Sequence, residues 1–336
     1  MKVRSRKSHK SGLLGSSIDT SEGLTSSRWG VILAGGDGTR LRSLTKFISG
    51  DERPKQFCLI LDKESLLDKT VNRAEISIPR GNILISLTRT HERFYSDLYD
   101  SFDRSRLVIQ PANLGTAPAI LYSLVRIAKA DPGALIAFFP SDHYVSDDKR
   151  FMEQVESAFE GIEREPDRIV LLGITPSSAE TEYGWIEPVR GEEVKKSKTL
   201  YRIKRFWEKP EKSIALELMK TGCLWNSFVM AGKVSTFLDI ISISLPGLYH
   251  DFMGACDMYG TPLESDAIEY IYEKLTPLNF SQRVLEVSTD KLLVLAVKDI
   301  EWSDLGDPGR VLTTLKNIGI RADWTHRYDN LARKTG

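Results

Sequence analysis

The sequence predicts an α/β fold with a mixed, mostly parallel central sheet covered by helices on both faces. Three observations carry this. Short apolar runs alternate with longer stretches of helical pattern, the order that builds a parallel sheet with crossover helices. Within one such stretch Leu121, Leu124, Val125 and Ala128 recur at helical spacing and give it a single apolar face. The first apolar run, Val31–Ala34, leads directly into Gly35, Gly36 and Gly38, a turn at a strand end of the kind that seats a ligand along the C-terminal edge of a sheet. A chain of 336 residues, 41% hydrophobic and 27% charged, is long enough for one large domain or a domain with an appendage.

In chain order, residues 1–28 mix Lys2, Arg4, Arg6, Lys7 and Lys10 with serine, threonine and glycine. Such a segment cannot bury enough apolar surface to offset its ordering entropy, so a disordered tail is expected. Strands are predicted at Val31–Ala34, Ile83–Leu87, Leu107–Gln110, Leu135–Phe139 and Ile169–Leu172. Helices are predicted between them at Ser65–Ala74, Glu92–Phe102, Thr116–Ala130 and Phe151–Ile162. Beyond about residue 175 the pattern changes. Gly184–Pro188 and Tyr201–Trp207 read as strands flanking a charged loop, Gly191–Lys198. Lys212–Lys220 reads as a helix, Leu224–Ala231 as a strand, and Val234–Leu275 as largely helical. Val284–Val287 and Leu292–Val297 read as a late hairpin, and the residues after Ala322 as a polar, peripheral tail.

Composition excludes several classes. Lys+Arg 46 balances Asp+Glu 46, which argues against general affinity for nucleic acid. Cys58, Cys223 and Cys256 lie too far apart for a zinc framework or a disulfide scaffold, and point to a reducing cytoplasm. No apolar run reaches the length of a membrane span.

The chemistry gathers in a few strings. In Trp29–Phe57 the glycine turn brings backbone N–H groups against a ligand, Arg40 adds a planar fork suited to phosphate oxygens, and Lys55 returns a second cation. This is neither a Walker loop, since no Gly-Lys follows, nor a dinucleotide fingerprint, since Leu41 stands where the third glycine belongs. Gln110 to Ile120 sits at a strand end and opens a helix, with Thr116 as its N-cap and the Gln110 amide able to meet a base edge. Asp142 ends an apolar strand, where a carboxylate is as readily a turn or helix cap, and the lone His143 beside it reads as structural. As bare strings, Glu182–Ile186 is a turn entering a strand, Phe206–Pro210 a strand ending in a solvated charge pair, Leu224–Ser227 the start of a strand and Glu301–Gly306 a polar turn.

Read together, L-A-G-G-x-G-T-R-L followed by P-K-Q-F resembles the signature of the sugar-nucleotide pyrophosphorylases, most closely the mannose-1-phosphate guanylyltransferases. The other strings resemble, in family order, N-T-A-P-A-I, P-x-D-H, T-x-Y-G-Y-I, F-x-E-K-P, W-N-S and W-x-D-x-G. The resemblance implies a Rossmann-like nucleotide-diphospho-sugar transferase fold. A catalytic domain would span 29–318, with nucleotide-binding (about 29–175) and sugar-binding (about 176–318) parts, and a peripheral tail over 319–336. It implies nucleotide contacts at Leu33, Gly35, Gly36, Gly38, Thr39, Arg40, Lys55, Gln110, Gly115 and Thr116, and sugar-phosphate contacts at Gly184, Glu208, Lys209 and Asn226. It implies catalytic roles for Arg40, Lys55, Asp142 and Lys209, and a magnesium ion held by Asp142 and Asp304. The implied substrates are GTP or another nucleoside triphosphate and a sugar-1-phosphate, in a cytoplasmic protein with no nucleic-acid or membrane partner; a homodimer is left open. Ser43, Gly115 and Phe228 depart from the usual proline, asparagine and glycine, and the Arg40–Lys55 gap is longer than usual. Those departures keep open a non-catalytic nucleotide-sugar-sensing regulatory subunit; the other alternative is a related glucose-1-phosphate uridylyl- or thymidylyltransferase, against which P-K-Q-F and T-A-P-A-I speak.

Overall fold

A computed structural model describes residues 27–194 and 199–328. Most of the basic tail, residues 195–198 of the charged loop and the last eight residues lie outside the described residues. In chain order the elements are β1 (Arg28–Leu33), α1 (Arg42–Ser49), α2 (Leu66–Glu75), β2 (Ile83–Thr88), α3 (Leu98–Ser101), β3 (Leu107–Gln110), α4 (Thr116–Ala130), β4 (Leu135–Pro140), β5 (Tyr144–Val145), α5 (Asp148–Arg164), β6 (Ile169–Ile174), β7 (Gly184–Glu193), β8 (Leu200–Glu208), α6 (Lys212–Lys220), β9 (Leu224–Lys233), α7 (Val234–Ser244), α8 (Pro246–Gly254), α9 (Glu264–Tyr272), β10 (Leu292–Val297), β11 (Trp302–Ser303) and α10 (Pro308–Asn317).

Nine strands form one sheet in the order β3-β2-β1-β4-β9-β6-β10-β8-β7. The first four are parallel, β9 runs antiparallel between β4 and β6, and β10 returns parallel to β6. β7 pairs with β8 and also with the start of β9, which brings the late strands round toward the centre. Every residue of β2, β4, β6 and β10 is buried, as strands covered on both faces must be. One core cluster lies under α2, α5 and α6, and a second under α4, α7, α8 and α9. The helices start where side chains can satisfy their free N–H groups. Ser65 and Asp68 cap α2 reciprocally, and Asp147 and Asp307 accept from Arg150 N and Arg310 N at the starts of α5 and α10.

The chain moves from β1 to β2 to β3 in one direction, then places β4 on the other side of β1. The strand order reverses there, and the crevice at such a point is where α/β sheets take ligands. The glycine turn follows β1 and Asp142 follows β4, so both flank that crevice.

Four expectations are corrected. The helix expected at Glu92–Phe102 is a 3-10 segment, Arg89–Phe94, and the four residues of α3; Phe94 and Tyr95 turn instead toward Phe57, with ring centroids 6.3 and 6.1 Å away. There is no late hairpin. Ser281–Leu285 forms a π-helical turn, and β10 pairs with β6. Val284 and Leu285 are both fully buried while Val287 is 65% exposed, and a strand cannot bury two successive side chains on one face. The start of the fold precedes residue 29: Ser27 O accepts from Leu135 N at 2.9 Å and Arg28 opens β1. The stretch after residue 318 is not wholly peripheral. Trp324 is buried with Leu41, Leu44 and Leu61, and its indole N–H donates to Ile60 O at 2.9 Å. Among the described residues no helix is long and apolar enough to cross a membrane.

Candidate active site

The glycine turn is held from beneath. Gln56, next to Lys55, donates from Nε2 to Ala34 O and Gly36 O at 2.9 and 2.8 Å, and Thr88 Oγ1 donates to Gly35 O at 2.9 Å. From the far side Asp37 takes Asn113 Nδ2 at 2.8 Å and lies 3.0 Å from His91 Nε2. Gly38 has φ +59°, and a Cβ there would stand 3.1 Å from Lys55 N, so the two ends of the phosphate-type loop touch. Asp37 stands at the unspecified position of L-A-G-G-x-G-T-R-L and Gln56 within P-K-Q-F, but the strings assign neither a role; their roles exist only as distances.

Lys55 is the centre of the arrangement. It is 8% exposed, donates to Asp304 O, and its Nζ lies 3.2 Å from Asp142 Oδ2. A buried cation is tolerated when paired and hydrogen-bonded in this way. Asp304, far beyond Asp142 in sequence, is buried at the same place. Its Oδ1 accepts from Tyr183 OH at 3.0 Å, Gly306 N at 2.9 Å and Arg310 Nη1 at 2.7 Å, while Oδ2 lies 3.8 Å from Arg40 Nη2. Burial alone would raise the Asp304 pKa, but the cations Lys55 and Arg310 outweigh it and hold the carboxyl below the usual range. Burial pushes the His143 imidazole down to about 4 against the pull of Asp142, so it is neutral near pH 7, and its ring stands edge-on to Trp302 at 5.0 Å.

Two cavities meet at Asp142. A smaller one of about 210 Å³ is lined by Gly38, Thr39, Arg40, Lys55 and Gly306 as well as Asp142. The other, about 260 Å³, takes in Leu33, Gly35, Gly36, Gln110, Gly115, Thr116 and Phe228. All ten residues singled out for the nucleotide therefore line one or the other. Gln110 is there, but its amide is committed to the fold: Nε2 donates to Ser86 Oγ and Leu87 O at 3.1 and 3.3 Å, and Oε1 accepts from Tyr272 OH at 2.9 Å. Thr116 is not the N-cap. Gly115 holds that position and the Thr116 hydroxyl accepts instead from Phe280 N at 2.9 Å. Gly115 has φ +87° and ψ −177°, and a Cβ on it would fall 2.4 Å from Leu278 O. No asparagine fits there, which explains the departure from the usual residue. Phe228, in the place of the usual glycine, keeps that residue's left-handed backbone with φ +60°, at a cost of about 1–3 kcal/mol.

The sugar-side residues also converge. A Cβ added to Gly184 would lie 3.2 Å from Glu208 Oε2 and 3.3 Å from Asn226 Cβ. Asn226 Oδ1 accepts from Phe228 N at 3.0 Å. Burial raises the Glu208 pKa against the nearby Lys209. Lys209, at φ +49° just beyond β8, is half exposed, and Glu182 reaches both it and Arg40, with Oε2 3.8 Å from Lys209 Nζ and 3.1 Å from Arg40 Nη1. That carboxylate joins the two groups of residues.

The oxygen donors suit a hard divalent cation. Asp142 retains a partly exposed carboxylate, and Asp304 Oδ2 accepts no hydrogen bond from any described residue. Two carboxylates with phosphates and water completing the shell is a magnesium-like set. Among the described residues no group of three or more His, Cys, Asp or Glu could hold a metal without such help.

A family model described as nucleotidyl transferase matches residues 29–242, the span from β1 through β9 into α7. The chain belongs to that nucleotidyl transferase family. It is 27% identical to a mannose-1-phosphate guanylyltransferase of Escherichia coli over 82% of this chain and 59% of that one. It is 30% identical to a mannose-1-phosphate guanylyltransferase of Salmonella typhimurium over 65% and 44%. It thus spans less than two thirds of the length of the curated relatives it matches. Among solved structures, the mannose-1-phosphate geranyltransferase of Thermus thermophilus superposes with a TM-score of 0.73 at 27% identity, covering 85% of this chain and 79% of that one. The nucleotidyl transferase fold expected from the strings is thereby borne out, with its mixed sheet and covering helices.

Proposed function

We propose that this chain transfers a nucleotidyl group from a nucleoside triphosphate to a sugar-1-phosphate, with GTP and mannose-1-phosphate as the substrates and GDP-mannose and pyrophosphate as the products. One observation carries the reading: Lys55, buried beneath the glycine turn, meets both Asp142 and the Asp304 turn at the mouth of two adjoining cavities. The names of the relatives support the choice of sugar and base. Residues 29–175 supply the nucleotide side and residues 176–318 the sugar side.

The sugar phosphate is ionised at neutral pH, so its oxygen attacks the α-phosphorus with no general base. A new O–P bond forms, the bond from the α-phosphorus to its bridging oxygen breaks, and the electron pair leaves with pyrophosphate. The work left to the protein is placement and charge stabilisation. Lys55 faces the α-phosphate, Arg40 the leaving pyrophosphate and Lys209 the incoming phosphate. Gly184, Glu208 and Asn226 receive the sugar hydroxyls, while Gly115, Thr116 and the Phe228 ring bound the base side. Asp142 and Asp304 would hold a magnesium ion, which when bound neutralises phosphate charge.

The test is pyrophosphate release, with product identification, over a matrix of sugar phosphates and triphosphates. Fastest release with GTP and mannose-1-phosphate, giving GDP-mannose, is expected. Preference for UTP or dTTP with glucose-1-phosphate would reassign the substrates. No release from any pair, with nucleotide sugar still bound, would make the chain a sensor.

A further inference from the structure

We infer that Glu182 is a positioning residue that occupies the phosphate-binding cations until substrate displaces it, and so sets how tightly the site takes phosphate. The inference rests on the reading of Arg40 and Lys209 as phosphate-directed cations. Glu182 Oε2 lies 3.1 Å from Arg40 Nη1 and 3.8 Å from Lys209 Nζ. Arg40 rides on the turn after β1 and Lys209 on the backbone just past β8, so one carboxylate spans the nucleotide and sugar sides. All three side chains are about half exposed, so nothing in the packing fixes them there except their mutual charge. The other cations nearby have their own partners. Lys55 is taken by Asp142, and Arg310 by Asp304 and Glu180 at 2.7 and 2.8 Å. Arg40 has a second, weaker carboxylate in Asp304 at 3.8 Å, and Lys209 no other acid within 4 Å among the described residues.

A phosphate oxygen and the Glu182 carboxylate compete for the same N–H groups. Two exposed ion pairs are each worth little, so Glu182 is displaced readily. Its presence still weakens anion binding and directs the two cations toward a common point before substrate arrives. It also disfavours a lone small anion, which must break both pairs, relative to a pair of substrates that replaces the carboxylate on each cation.

The experiment is titration calorimetry of inorganic pyrophosphate into the full chain and into Glu182→Gln, which keeps shape and removes charge. Pyrophosphate should bind about threefold to tenfold more tightly to the variant, the range two exposed pairs allow. The gain should shrink when Arg40→Ala is combined with it, and the melting temperature should not move. Unchanged or weaker pyrophosphate binding by Glu182→Gln would overturn the inference. So would an equal gain in the Arg40→Ala background. Because the readout is binding of pyrophosphate alone, it stands apart from the nucleotidyl-transfer assay. In that assay the same variant should show a lower KM for mannose-1-phosphate, and Glu182→Asp should return both values toward those of the parent.

Discussion

Replacing Gly115 by alanine should cost the fold several kcal/mol, and the structure says why. The residue has φ +87° with ψ −177°, a region essentially closed to side chains, and holding a non-glycine there costs about 1–3 kcal/mol. The added Cβ would also stand 2.4 Å from Leu278 O and 2.9 Å from Leu278 C, backbone atoms that cannot swing aside. Leu278 is tied on both sides: its N donates to Leu114 O at 2.9 Å and its O accepts from Ala117 N at 3.1 Å. Relief of the clash means losing at least one of those bonds, roughly 0.5–1.5 kcal/mol each. With one bond lost the sum is about 1.5–4.5 kcal/mol, toward the upper end of single substitutions. Urea unfolding of Gly115→Ala should therefore show a lower midpoint with an unchanged slope. Because Gly115 lines the larger cavity, the proposed function also expects a raised KM for GTP in the surviving folded protein. A loss under about 0.5 kcal/mol would refute the reasoning, since the Leu278 segment would then have to be free to move.

Lys55→Ala should lower kcat about 10²- to 10³-fold with a smaller effect on nucleotide affinity, because the charge it meets grows during the reaction; single-turnover rates against measured nucleotide Kd decide, and an unchanged kcat with raised KM would make it a ground-state binder. Lys209→Ala should chiefly raise KM for the sugar phosphate, leaving GTP binding nearly as it was; equal weakening of both would remove its dedicated role. Asp142→Asn with Asp304→Asn should abolish turnover and its magnesium dependence, and full activity of the pair at low magnesium would end the metal assignment. Trp324→Ala should destabilise the protein by about 3–5 kcal/mol in urea, through the cavity it leaves under α1 and α10 and the lost bond to Ile60 O.

Much of this was legible in the sequence because α/β proteins write their strands as short, wholly apolar runs. Ile83–Thr88 and Ile169–Ile174 were readable for that reason. Val284–Val287 was not, because a handful of apolar residues does not tell a strand from a buried helical turn, and the true partner of β10 lies far upstream in β6. The site was legible where residue type and order carry the chemistry, as at Lys55, Asp142 and Asp304. It was illegible where the role is geometric. Gln56 reads as an ordinary polar residue until its amide is seen holding Ala34 O and Gly36 O. Gln110 reads as a base-reading amide until Ser86, Leu87 and Tyr272 are seen to use it up. Glu182 is one more acid in a turn until both cations are found on it.

The bond from Lys55 to Asp304 O spans 249 residues, and Arg310 closes the network that fixes that turn. A ribosome delivers the glycine loop well before the Asp304 turn. During synthesis the loop, its lysine and Asp142 emerge long before the residues that complete them. A nascent chain therefore cannot close this network until residue 310 has cleared the exit tunnel, however well its first half has folded.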